Sequence, residues 1–250
     1  IHPGRLEKVA RYVRRTIERY DLPTEVVTST DRREVLPGAD FVITSVSVGG
    51  GAYWGQPYKA EIEIPRKYGI EQSVADTVGI GGVFRFLRTG PVQHQFFRDM
   101  EDLCPDAFVL NHTNPMAMLT WLHSVDATVD NVGLCHSVQG TTQKLARITG
   151  VPYEEVSHWV AGINHQAWVL ELRRGGEDLY PALREAMEDE ETVAGDPVRF
   201  EMMKHFGYFV TESTRHNSEY LPYFRRTPAL MDRFRLEPRV EVGRVFREPG

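Results

Sequence analysis

Three short apolar runs set the pattern of this chain: Phe41-Val42-Ile43-Thr44-Ser45-Val46, Ala107-Phe108-Val109-Leu110 and Asn131-Val132-Gly133-Leu134. Continuous apolar runs of this length suit strands covered on both faces, as in a parallel sheet. Helical periodicity fills the intervals between them, and strand, helix, strand in repetition builds a layered α/β domain with crossover connections. Upstream, Leu6, Val9, Val13, Ile17 and Tyr20 recur at spacings of three and four. That spacing predicts an amphipathic helix over residues 4–20, which Asp21-Leu22-Pro23 ends. Glu25–Thr28 reads as a short β-branched strand, and Asp31 as the cap of a helical turn reaching Leu36. Further helices are expected over 56–68, 91–104 and 116–125. Another, capped by Ser137 or Thr141, should run to Gly150.

Polar signatures stand at the exits of the later strands. Asn111-His112-Thr113-Asn114-Pro115-Met116 follows one, Gly133-Leu134-Cys135-His136-Ser137 follows the next, and Gly162-Ile163-Asn164-His165-Gln166-Ala167-Trp168 comes after. In open α/β sheets, ligands collect beyond the C-terminal ends of the strands. A thiolate with an imidazole is a ligand set for a divalent transition metal, so Cys135 and His165 can share one cation and leave positions open for substrate oxygens. The same residues also allow a catalytic thiol with His136 or His165 as its base, or plain burial. Gly49-Gly50-Gly51 permits close approach of a ligand, as any flexible turn does. Asp76, ahead of the Gly-rich stretch 76–90, is a turn or cap carboxylate or a site residue. Thr211 to Phe224 is dense in the polar and aromatic groups that line small-molecule clefts.

After Gly150 the strand–helix rhythm changes. Residues 1–154 are expected to form a Rossmann-like doubly wound parallel sheet without its first βα unit. Residues 155–250 are expected to form an α+β domain for substrate and metal. The chain opens at Ile1 with no methionine and no glycine-rich strand-turn, and stops abruptly at Arg247-Glu248-Pro249-Gly250, so a fragment is expected. A formal charge of −6 disfavours a nucleic-acid partner. No apolar run of about 18 residues suggests a membrane span, and no signal peptide is visible. Cys104 and Cys135 make no disulfide framework, which points to a reducing, cytoplasmic setting, with Cys104 simply buried.

Taken together, Asn114-Pro115 after a strand, Gly133-Leu134-Cys135-His136-Ser137 and Gly162-Ile163-Asn164-His165 resemble the family 4 glycoside hydrolases. These are NAD- and manganese-dependent enzymes outside the usual two-carboxylate scheme. The resemblance extends over Gly69–Pro91 and Glu219-Tyr220-Leu221-Pro222-Tyr223. The Cys-His-Ser-Val run is similar to the α-galactosidase type, since members acting on 6-phosphosugars carry Asp or Asn where His136 stands. The resemblance implies oxidation of the sugar at C3 by NAD, loss of the C2 proton, elimination of the aglycone, addition of water and re-reduction. It implies Cys135 and His165 as ligands of Mn²⁺ or another divalent metal on the C2 and C3 oxygens. Tyr220 is implied as the base, with Tyr223 as the alternative and Asp76 in support. Asn114, His136 and His216 are implied as substrate contacts, and His136, Glu212 and His216 stay open as the general acid. For NAD the resemblance leaves Ser45, Val46, Asn111 and Asn114, because the family's N-terminal glycine fingerprint is absent from this chain. Relatives of this kind assemble as dimers or tetramers, and the same is expected here.

Two other readings compete. A metal-independent, NAD-dependent hydroxyacid dehydrogenase shares the Gly38-Ala39-Asp40-Phe41-Val42-Ile43 strand and an Asn-Pro after a later strand. A non-catalytic nucleotide- or sugar-binding fragment would keep the pattern without turnover.

Overall fold

The computed structural model describes residues 3–49 and 57–237. Gly50, Gly51, position 56 and the Arg247–Gly250 end lie outside the described residues. Helix α1 covers Pro3–Tyr20, as the periodicity predicts, although Ala10 is its one buried residue and Val9 and Tyr12 stay exposed. Asp31 accepts from the Arg33 amide and caps a single turn at Arg32–Glu34. The strand expected over Glu25–Thr28 does not form. β propensity needs a neighbouring ladder, and none of the described strands pairs with this segment.

Strand β1 (Phe41–Thr44) pairs with β2 (Phe108–Asn111), and β2 pairs with β3 (Asn131–Gly133), all parallel. The α/β class expected from the apolar runs is therefore present, as a sheet of order β1-β2-β3. Full coverage of β1 is not: Phe41 is 70% and Ile43 67% exposed, while Thr44 points inward. Between β1 and β2 lie α2 (Tyr58–Lys67) and α3 (Gly79–Leu103). The helix expected to start at Pro91 starts at Gly79 instead, as one continuous α3 with Gly90 and Gln93 buried on either side of the proline. Phe97 and Met100 of α3 pack with Cys104, Ala107, Val109 and Val129 beneath the sheet, so Cys104 is a small core residue as expected. Helix α4 (Met116–Asp126) joins β2 to β3, and α5 (Ser137–Ile148) leaves β3. Neither Ser137 nor Thr141 caps α5. Ser137 is its first helical residue, and its hydroxyl is directed to Glu212 instead.

Beyond Gly150 the sheet is antiparallel. A long hairpin of β4 (Val156–Ile163) and β5 (Gln166–Arg174) carries a short β6 (Glu177–Asp178). Helices α6 (Tyr180–Glu185), α7 (Glu190–Ala194) and α8 (Pro197–Phe206) follow. A short β7 (Phe209–Val210) returns to β5, and α9 (Thr214–Tyr220) and α10 (Pro228–Arg233) end the described chain. Val169, Leu172, Leu183, Phe200 and Phe209 form the core under this sheet, and Leu145 of α5 inserts into it. One helix therefore begins at the edge of the parallel sheet and ends in the core of the other.

Inside the first layer, His123 is 2% exposed, stacks on Phe97 at 3.7 Å and pairs with Gln93 Oε1 at 2.8 Å. Burial, and after it the charge of His94, pull its pKa down to about 4. A folded-state value below the ordinary 6.5 means that His123 contributes stability above pH 6.5, which is lost as the pH falls towards 4. Urea denaturation should show a stability loss from pH 7 to 4.5 that shrinks by roughly 2–3 kcal/mol in H123L. An equal loss in that variant would mean that His123 does not titrate in this window.

Candidate active site and metal centre

The β4–β5 turn brings one imidazole to the sheet edges. Gly162 sits at φ +140° with its hydrogen against Ala167, where a Cβ would come within 2.6 Å of the Ala167 Cα. His165 follows at φ +64°, and Glu212, just beyond β7, is at φ +72°. Left-handed backbone costs a non-glycine residue on the order of 1–3 kcal/mol, and such residues cluster at sites where the surroundings enforce them. Here the enforcement is visible. The Ala167 amide donates to Thr211 Oγ1, and the Thr211 amide returns a bond to the Ala167 carbonyl.

His165 is 7% exposed and is contacted on both edges. On the Nδ1 side, Thr77 Oγ1 lies at 2.6 Å, the Tyr220 hydroxyl at 3.5 Å and Asp76 Oδ1 at 3.8 Å. On the Nε2 side, Glu212 Oε1 lies at 3.6 Å. The donor atoms of Cys135, His165 and Glu212 all fall within 4.8 Å of one another, and those of Asp76, His165 and His216 do likewise. Ser137 hydrogen-bonds Glu212 and sits 3.0 Å from Cys135 Sγ. His216 Nδ1 is 3.1 Å from the other Glu212 oxygen, and its ring meets that of His165 edge-on at 5.0 Å. Tyr220 donates to Asp76 Oδ1 at 3.3 Å, and Asn114 Nδ2 donates to Asp76 Oδ2 at 3.0 Å.

These contacts set the charges. Burial opposes ionisation of Asp76, but the hydrogen bond and charge of His165, with the charge of His216, hold its carboxyl down at about 2. Burial likewise opposes a charged His165, yet Asp76, Cys135 and Glu212 hold its pKa up at about 10. The Cys135 thiol is lowered against its own burial by bonds to His165 and Ser137. Tyr220 is raised, first by burial and then by the Asp76 charge. The centre is thus acid-rich around a thiol and a ring nitrogen, the composition that suits a transition-metal cation. Metal bonds of roughly 2.0–2.3 Å to N, O and S put ligand atoms about 3–4 Å apart, so small side-chain rotations suffice to gather the three donors. Beside them opens a cavity of about 500 Å³, lined by Leu134, Cys135, Gly162, Asn164 and His165. Asn164 Oδ1 is shut off from solvent there and has no hydrogen-bond partner.

Of the residues singled out in the sequence, Asp76, Asn114, Cys135, His165, Glu212, His216 and Tyr220 converge. Others do not. The Asn111 carboxamide is 1% exposed and bonds Thr44, Gln93 and Thr113, so it braces the strand exit and is not open to a cofactor. Val46 donates its amide to Thr113 Oγ1, and Ser45 stays exposed on the same rim. His136 is exposed and faces the His112 ring at 6.1 Å rather than the carboxylates. Tyr223 is 57% exposed and lines a separate cavity with Met202 and Phe206. Sequence reasoning missed Thr77 and Glu219. Glu219 accepts from the amides of Ser73, Val74 and Ala75 and so holds the loop that carries Asp76. Its place beside Tyr220 was the available signal. Gly82 has the same purpose, since a Cβ there would meet the Thr77 carbonyl carbon at 2.6 Å.

The sequence signature of the family 4 glycosyl hydrolases matches residues 1–151, and that of their C-terminal domain matches residues 160–247. The chain is 43% identical to an alpha-galactosidase of Bacillus subtilis (strain 168), over 94% of this chain and 55% of the relative. It is 39% identical to an alpha-galactosidase of Rhizobium meliloti (strain 1021), over 88% of this chain and 45% of the relative. It therefore spans about half the length of these curated relatives. Its backbone is similar to the 6-phospho-beta glucosidase of Thermotoga maritima solved with manganese, NAD⁺ and glucose-6-phosphate. That likeness has a TM-score of 0.72 at 21% identity, covers 88% of this chain and 51% of the other, and shows the shared fold. With the signature matched from the parallel sheet through α10, the chain belongs to family 4 of the glycosyl hydrolases.

Proposed function

We propose that the protein containing this chain is an α-galactosidase that works through NAD and a divalent metal, with Cys135 and His165 as the metal's protein ligands. The observation carrying this reading is the gathering of Cys135, His165 and Glu212 donors within 4.8 Å beside the 500 Å³ cavity. The substrate class rests on the two α-galactosidase relatives and on His136 in the place where phosphosugar enzymes carry Asp or Asn. In this reading the 1–154 domain carries the nucleotide and the 155–250 domain the sugar, with Asp76, Asn114 and Cys135 reaching the sugar and metal from the first. The described residues fit NAD only in part: Ser45, Val46 and Asn114 stand at the exits of adjacent parallel strands, where a nicotinamide would meet the sugar. When bound, NAD would supply the acceptor and later donor of a hydride, and a cation held by Cys135 and His165 would supply Lewis acidity towards the sugar's hydroxyl oxygens.

The chain's own residues do the rest. As its phenolate, Tyr220 takes the C2 proton, and in the resting phenol the Asp76 carboxylate receives the hydroxyl and keeps it aimed. In this setting burial and the Asp76 charge raise the phenol's pKa, and positive charge nearby would favour its ionised form. Asn114 donates to the other Asp76 oxygen, accepts the Met116 amide on its own Oδ1, and keeps its second amide proton for the sugar. We favour His216, tied to Glu212 and 21% exposed at its side chain, as the acid that protonates the leaving oxygen, over His136 on the rim.

Hydrolysis of an aryl α-galactoside by the full-length protein should require NAD⁺ and Mn²⁺ together, and EDTA should abolish it. Retained activity after chelation excludes the metal scheme. Deuterium at C2 of the galactoside should slow turnover or wash out into solvent. Release of the aglycone with neither effect would indicate direct displacement at C1. Y220F should lower kcat by about 10²–10⁴-fold, the range of a missing general base. Y223F should leave kcat nearly unchanged, and the reverse ranking would move the base to Tyr223.

A further inference from the structure

The ring of His165 has two nitrogens and two clusters competing for them. One holds Cys135 and Glu212, and the other holds Asp76 and His216. Which nitrogen keeps its lone pair decides where a cation sits. Thr77 makes that choice possible to work out. It is 0% exposed, so no solvent competes for its hydroxyl, and its Oγ1 stands 2.8 Å from Asp76 Oδ1 and 2.6 Å from His165 Nδ1. Asp76 is surrounded by donors: Thr77 and Tyr220 on Oδ1, and Asn114 on Oδ2. A carboxylate in that position accepts from each of them. The single hydroxyl proton of Thr77 is therefore spent on Asp76, and towards His165 its oxygen can only accept.

We infer that Thr77 is a positioning residue for the metal centre: its hydroxyl accepts the Nδ1 proton of His165, so the proton that a cation displaces is the one on Nε2, on the Cys135–Glu212 side. This rests on the reading of Cys135 and His165 as metal ligands. The backbone supports it. Glu219 pins the amides of residues 73–75, and Gly82 lets the first turn of α3 lie directly on the Thr77 carbonyl, so the hydroxyl cannot drift from the ring. Tyr220, 3.5 Å from Nδ1, has likewise given its proton to Asp76 and reinforces the same polarity. The arrangement is a carboxylate–hydroxyl–imidazole chain, one atom longer than the carboxylate–imidazole pairs that orient metal-bound histidines elsewhere.

The test is titration of the full-length protein with Co²⁺, followed through the thiolate-to-cobalt charge-transfer band. T77V keeps the shape and removes the hydroxyl, and should weaken Co²⁺ binding by about 10–100-fold. T77S restores the hydroxyl and should bind close to wild type. Wild-type affinity in T77V, or equal losses in T77V and T77S, overturns the inference. A readout independent of variant folding is ¹⁵N-histidine NMR of the Zn²⁺-loaded wild-type protein. It should show His165 with Nδ1 protonated and Nε2 on the metal, and metal on Nδ1 overturns the inference. A wild-type titration without any thiolate-to-cobalt band overturns the ligand reading itself and this inference with it, which separates the two failures.

Discussion

The site depends on one buried ring being held from both edges. His165 has Thr77 and the Asp76 carboxylate against Nδ1 and Glu212 against Nε2, and it occupies left-handed backbone at the tip of a hairpin. Burying an imidazole among carboxylates is unfavourable unless each charge finds a partner. Here the partners are mutual, so Asp76 is held ionised and His165 protonated for the same reason. A cation entering between Cys135 and Glu212 would take over the role that this proton fills.

Much of the surrounding structure keeps those partners in register. Helix α9 carries Glu219, which fastens the 73–75 loop, and ends on Tyr220, which reaches Asp76. Loop and base are therefore fixed by adjacent residues of one short helix. At the other end of that helix, Thr214 bonds Asp196, which also receives Arg199 and Lys144. Asp196 is 2% exposed, and its lowered pKa, reached against strong burial, reflects these donors. Lys144 belongs to α5, whose first residue is Ser137 at the thiol. A buried ion pair of this kind adds little net stability, but it ties the helix leaving the parallel sheet to the helices that carry the other half of the site.

The strand–helix rhythm was legible because strands of a parallel sheet draw on unbroken apolar runs, and 41–46, 107–110 and 131–134 supply them even where, as in β1, one face stays open. Their exits were legible for the same reason, since polar residues following a buried strand have few other uses. Glu25–Thr28 was misread because residue preference cannot create a ladder partner. A helix start at Pro91 does not form because α3 already runs through it from Gly79, with buried residues on either side. The β4 strand went unseen because the outward residues of its mixed sequence, such as Trp159, are exposed and blur the alternation.

For the site, residue type singled out Cys135 and His165 and left Asp76 as one option among several, since thiol, imidazole and carboxylate chemistry is written in the side chain, and the family resemblance added Asn114 and Tyr220. Tertiary structure decided which of the candidates meet. Asn111 and Asn114 stand in one signature, yet the first is consumed inside the sheet edge and the second reaches Asp76. His136 follows Cys135 directly, yet a helix starting there turns it to the rim. Tyr220 and Tyr223 are three positions apart, and only the end of α9 puts the former over the carboxylate. Thr77 carried no chemical signal in the chain, because a hydroxyl gains its meaning only from the proton acceptors that folding sets on either side of it.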